Sequence, residues 1–200
     1  MLHRLTACAA LLLLAACGDR EAKPAAAAPQ VAPAAISAPD PLSVRPTGVG
    51  PLEAGTPFDE AVIARAFPGA TVERAFMHYG GKGEATPVLN VLAGGTQTLQ
   101  VTGDARGGIG EITVTGGDYV APGGERLMTP WSRTTLSIDD CGMGDGPTLH
   151  ALVCRKKGAP EINYVIGIPG WTSGEPPSAE VLAEEAFLRE MVWTAPPSAP

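Results

Sequence analysis

The chain has 200 residues, of which 44% are hydrophobic, 18% charged and 5% aromatic, with a net charge of -7. That length suits one domain or a duplicated small one. The acidic balance argues against a nucleic-acid partner, because the basic residues cluster only at Arg155-Lys156-Lys157, three charges that read as a solvated turn.

Residues 1–16 set the compartment. A short basic start, His3 and Arg4, precedes an apolar run over residues 5–16 interrupted by Thr6 and Cys8. The run is shorter than the roughly 20 residues that a membrane span needs, and its layout is that of a secretory signal. It ends in Leu14-Ala15-Ala16-Cys17-Gly18, which resembles the lipobox of bacterial lipoproteins. The resemblance implies cleavage before Cys17, with acyl chains on its thiol and on the new amino terminus. At about 0.8 kcal/mol per buried methylene, two or three chains make a lasting anchor. Gly18, not an acid, follows Cys17, which favours the outer membrane, facing the periplasm.

Residues 17–46 are rich in Ala and Pro and hold no aromatic residue. Such a stretch cannot offset its ordering entropy, and its prolines bias it towards extended conformation. It reads as a tether. The globular domain is expected over residues 47–194, with a proline-rich tail over residues 195–200.

Within that domain, Thr56-Pro57-Phe58-Asp59-Glu60 reads as a helix start, with Thr56 as cap, Pro57 in the first turn and acids behind it. Val62, Ile63 and Phe67 supply its apolar side, and Pro68-Gly69 stops it. Strands are expected over residues 71–79, 87–93, 96–102 and 109–115, with Gly94-Gly95 turning a hairpin. A second set follows. Thr129-Pro130-Trp131 echoes Thr56-Pro57-Phe58 and opens a weaker helix; residues 149–155 and 161–168 form a hairpin; a helix covers residues 178–187 and a strand residues 188–193. The pattern is α+β, antiparallel sheets with a few short helices, and it suggests two copies of a helix-plus-three-strand unit.

Cys8 leaves with the signal and Cys17 takes lipid, so Cys141 and Cys154 remain in an oxidising compartment, where a disulfide is expected. It would contribute about 3 kcal/mol by constraining the unfolded chain. The rival is a metal site with His150, one ligand short of structural zinc unless Asp139 or Asp140 joins. No metal or cofactor is expected. Gly170-Trp171-Thr172-Ser173-Gly174 places its serine one position late for a hydrolase elbow. Gly107-Gly108-Ile109-Gly110 precedes a strand, whereas phosphate-binding loops follow one. The acidic, glycine-rich residues 139–146 lack the spacing of a calcium loop. Trp131 and Trp193 read as core, and Trp171 as a residue that could line a binding groove.

Gly48-Val49-Gly50-Pro51-Leu52, Thr129-Pro130-Trp131, Cys141 with Cys154, Ile162-Asn163-Tyr164, Gly170-Trp171 and Met191-Val192-Trp193 together resemble the YfeY-type envelope lipoproteins, a family termed RpoE-regulated and of unknown function. The resemblance implies an outer-membrane lipoprotein connected with envelope stress, and it carries no catalytic residues. The expected role is therefore a non-enzymatic binding or structural module. It would be held to the membrane through Cys17 and would engage another envelope protein or a cell-wall component. The alternative is a periplasmic hydrolase of an envelope substrate using His78 or His150 with distant acids.

Overall fold

The computed structural model describes residues 42–78 and 85–197. The signal, Cys17, most of the tether and the last residues of the tail lie outside the described residues. Three short strands, β1 (Val44–Arg45), β2 (Gly48–Val49) and β3 (Leu52–Glu53), make an antiparallel mini-sheet. Helix α1 (Glu60–Ala66) leads into a meander of β4 (Thr71–Met77), β5 (Thr86–Ala93), β6 (Thr96–Gly103) and β7 (Ile109–Val114). The second half supplies β8 (Cys141–Met143), β9 (Leu152–Lys156), β10 (Ala159–Gly167), helix α2 (Ala179–Glu185) and β11 (Phe187–Thr194). Strands β4 to β11 join in one eight-stranded antiparallel sheet, in the order β4-β5-β6-β7-β11-β10-β9-β8. The fold is α+β with antiparallel sheets.

Alternation along the strands decides which face is covered. Leu89, Val91, Leu99, Val101, Ile112 and Val114 point to one side and are buried. Ile162, Tyr164, Met191 and Trp193 continue that side through the second half. Val44, Val49 and Leu52 of the mini-sheet, Ile63 of α1 and Leu182 of α2 pack on it. The Trp193 indole Nε1 donates to the Pro46 carbonyl at 3.0 Å. The folded domain thus starts earlier than its composition indicates, with Val44 buried inside the stretch that reads as tether. At Gly94 and Gly95, φ values of 57° and 81° give the expected turn, which L side chains with a Cβ rarely adopt.

Several elements differ from the sequence reading. Helix α1 starts later, capped by Asp59, whose Oδ1 accepts from the Val62 amide at 3.0 Å. The backbone of Thr56 and Phe58 is committed instead to the start of β7 and the loop before it, through Ile109 N to Thr56 O and Phe58 N to Gly107 O, both 2.9 Å. Thr129-Pro130-Trp131 opens no α-helix, only a 3-10 turn over Trp131–Arg133. Its neighbours are hydrogen-bonded along the start of β11, Met128 N to Leu188 O at 2.8 Å and Trp131 N to Ala186 O at 2.8 Å, which leaves their backbone unavailable to a helix. The two halves do each carry four strands from the rim to the centre, where β7 and β11 pair. They are not helix-plus-three-strand copies, because α1 precedes its meander whereas α2 sits between β10 and β11.

Cys141 and Cys154 form a disulfide as a directly opposed pair on β8 and β9. Replacing both by serine is expected to lower stability by about 2 to 4 kcal/mol, read as a fall in the urea midpoint. An unchanged midpoint would show that the ladder alone holds this rim.

Candidate functional site: a trough on the open sheet face

The face opposite the core encloses a pocket of about 770 Å3. Met77 of β4 and Met143 of β8 both line it, although these strands are the two edges of the sheet. On a flat sheet seven inter-strand steps would set them about 34 Å apart. The sheet therefore curls into a trough, with both edges remaining and no closed barrel. Bulges bend strands in this way. Thr98 is the extra residue in β6, between the pairs Val91–Leu99 and Leu92–Gln97, and its hydroxyl donates to the Val91 carbonyl at 3.2 Å. Arg189 is the extra residue in β11, between Val165–Glu190 and Ile166–Leu188.

Registers align a polar row across the trough. Gln100 stands opposite Thr113, Thr113 opposite Val192, Val192 opposite Asn163, and Asn163 opposite Arg155. The row thus crosses five consecutive strands. Gln100 Nε2 donates to Asn90 Oδ1 at 3.3 Å, and Arg155 Nε donates to Asn163 Oδ1 at 2.5 Å. Val192 within the row and Val165, two residues along β10 from Asn163, form a small buried cluster with Ala151.

Charge in the trough is unevenly satisfied. Glu190 is paired with Arg189 at 2.9 Å. The Glu111 side chain has neither a hydrogen bond nor an ion pair among the described residues, and burial pushes its carboxyl above the ordinary value. Among the described residues Arg155 likewise has no carboxylate partner. Asp140 and Asp145 line the rim and are exposed.

Comparison with known proteins places this architecture. Residues 32–195 match the family described as a protein of unknown function, DUF1131. The chain belongs to that family. It is 31% identical over 118 residues to the uncharacterized protein YfeY of Escherichia coli strain K12, a match covering 58% of this chain. The chain spans about three-fifths of the length of that curated relative, the match covering 61% of it. The crystal structure of the uncharacterized protein yfeY from Escherichia coli is similar to the fold, with a TM-score of 0.61 and 26% identity. That likeness covers 76% of this chain and 98% of the other.

In this DUF1131 member the residues singled out from sequence lie away from the trough, except at its rim. Trp171 does not line it; it is half-buried against the main core, with its Nε1 buried and unpartnered among the described residues. His150 Nδ1 meets the Ser173 backbone carbonyl at 3.3 Å, not a carboxylate or hydroxyl. Asp139 and Asp140 lie in a 3-10 turn, and Cys141 and Cys154 are consumed by their disulfide. Lipidation at Cys17 falls outside the described residues. The residues that make the trough, Gln100, Glu111, Thr113, Arg155 and Asn163, went unremarked as site residues. Their signal was a polar side chain at alternate positions of otherwise apolar strands, and it becomes a site only when registers bring these positions into line.

On the core side, a second polar cluster joins loop to sheet. The Glu125 carboxylate accepts from Lys156 Nζ and, at 2.6 Å, from the Thr135 hydroxyl. Lys156 Nζ also lies 5.2 Å from the centre of the Tyr164 ring. Burial, and then the negative charge of Glu125, raise the Tyr164 phenol. This buried ion pair ties the long connection between β7 and β8 to the end of β9, a structural task.

Proposed function

We propose that the protein is a lipid-anchored envelope module that holds a ligand in the trough of its sheet and performs no catalysis of its own. The trough carries this reading. Its size lies within the roughly 300 to 1,000 Å3 typical of ligand sites, and a few polar groups interleaved with apolar side chains are the composition such sites use. The lipobox at Cys17 supports an anchor in the outer membrane facing the periplasm, with the ligand drawn from the envelope. The resemblance to RpoE-regulated lipoproteins supports a link to envelope stress.

Two measurements test this. A photo-crosslinking residue at Thr113 should capture an envelope component in living cells, whereas one at Trp171 should not. Capture from Trp171 with none from Thr113 would overturn the assignment of the face. The variant Cys17→Ala should leave the membrane fraction entirely, and its retention there would refute the lipid anchor.

A further inference from the structure

The trough has a direction. Glu111 stands unpaired on β7, and Arg155 stands without a carboxylate three strands away on β9. Thr113 lies two residues along β7 from Glu111, and from it the row runs through Val192 and Asn163 to Arg155. Three inter-strand steps and two residues along a strand set Glu111 and Arg155 at most about 16 Å apart, a flat-sheet limit that the curl of the trough shortens. An extended chain of up to about five residues covers that span.

The lining narrows the occupant. An acyl chain would strip water from Gln100, Glu111 and Asn163 and return no hydrogen bond, at a cost of a few kcal/mol for each. No aromatic residue among those described lines the trough as a stacking platform for a sugar. Gln100, Thr113 and Asn163 offer donors and acceptors together, as backbone amides require. Arg155 uses its Nε on Asn163, which leaves the two terminal nitrogens to fork a carboxylate. A lone carboxylate in partly desolvated surroundings is matched by an ammonium.

We propose that the trough takes a short extended peptide with both ends free, its ammonium on Glu111 and its carboxylate on Arg155. This rests on the reading of the open face as a binding site. The two free ends exclude an internal segment of a protein, which has neither charge, and the opposed charges fix the direction in which the peptide lies.

The test titrates the full chain in detergent with pentaalanine, its N-acetyl form and its C-terminal amide, following backbone amide resonances by NMR. The free peptide should shift Thr113, Asn163 and Val192. Blocking either end should weaken binding about tenfold or more, corresponding to about 1.4 kcal/mol or more. In Glu111→Gln, N-acetylation should cease to matter while amidation still does; in Arg155→Gln the dependence should be the reverse. Shifts in the trough that ignore both ends would leave the binding face standing and overturn the peptide termini as its ligand. No shift with any of the three peptides would overturn the peptide proposal, while crosslinking from Thr113 separately decides whether the face binds anything.

Discussion

Replacing Lys156 by methionine is expected to cost the domain about 3 to 5 kcal/mol, because it leaves the Glu125 charge buried without its partner. The Glu125 side chain is only 2% exposed, and the loop packs closely on the pair. A Cβ added at Gly123 would lie 2.3 Å from Lys156 Nζ and 2.5 Å from Glu125 Oε2. Urea unfolding at pH 7 measures the loss. The double variant Glu125→Gln, Lys156→Met should recover most of it, since the uncompensated charge is gone. The pH dependence carries a sharper signature. Burial alone would raise the Glu125 carboxyl, but the hydrogen bonds from Lys156 and Thr135 outweigh it and hold the group below its ordinary value of 4.5. Its contribution is therefore present above that value and lost as pH falls through the lower folded pKa. In Lys156→Met burial dominates, the folded pKa lies above the unfolded one, and the variant regains stability on acidification. The gap between the two proteins should narrow as pH falls from 7 to about 4. Parallel curves would show that Glu125 is not the group responsible.

Local chemistry was legible where a residue answers to its neighbours in sequence. Gly94-Gly95 turns the hairpin because both positions need positive φ, and Pro68-Gly69 ends α1. The strands of the meander and the hairpin of β9 and β10 follow alternation, and Cys141 and Cys154 pair as directly opposed residues of β8 and β9. Elements fixed by distant partners were not legible. Thr56 looks like a helix cap, yet its carbonyl is taken by Ile109, so Asp59 caps the helix instead. Thr129-Pro130-Trp131 has the same local form, and its backbone is taken by β11. Strand β8 is three residues long, with a glycine at its centre, and exists because β9 offers it a ladder. The trough is the extreme case. Each strand contributes one or two polar residues that in isolation read as the solvated side of a sheet, and only bulges and the four registers between five strands assemble them into a concavity.

Trp193→Ala should be the other severe substitution, at about 3 to 5 kcal/mol. Total stabilities of domains are typically about 5 to 15 kcal/mol, so this single change removes a large share. The indole is completely buried on β11, the strand that joins the two halves of the sheet. Opposite it stand Ile112 of β7 and Ile162 of β10. Its removal opens a cavity where the rigid central strands cannot close in. Trp193→Phe separates packing from hydrogen bonding. Phenylalanine keeps most of the volume but leaves the Pro46 carbonyl without its donor, at a cost of about 1 kcal/mol. Hydrogen exchange locates the effect: amides of Val44 and Val49 should exchange faster in Trp193→Phe, while those of β7 and β10 keep their protection. If instead β7 and β10 lost protection to the same degree, the bond to Pro46 would be part of the global fold. Selective loss would mean that one indole nitrogen sets where the folded domain begins and the proline-rich chain ends.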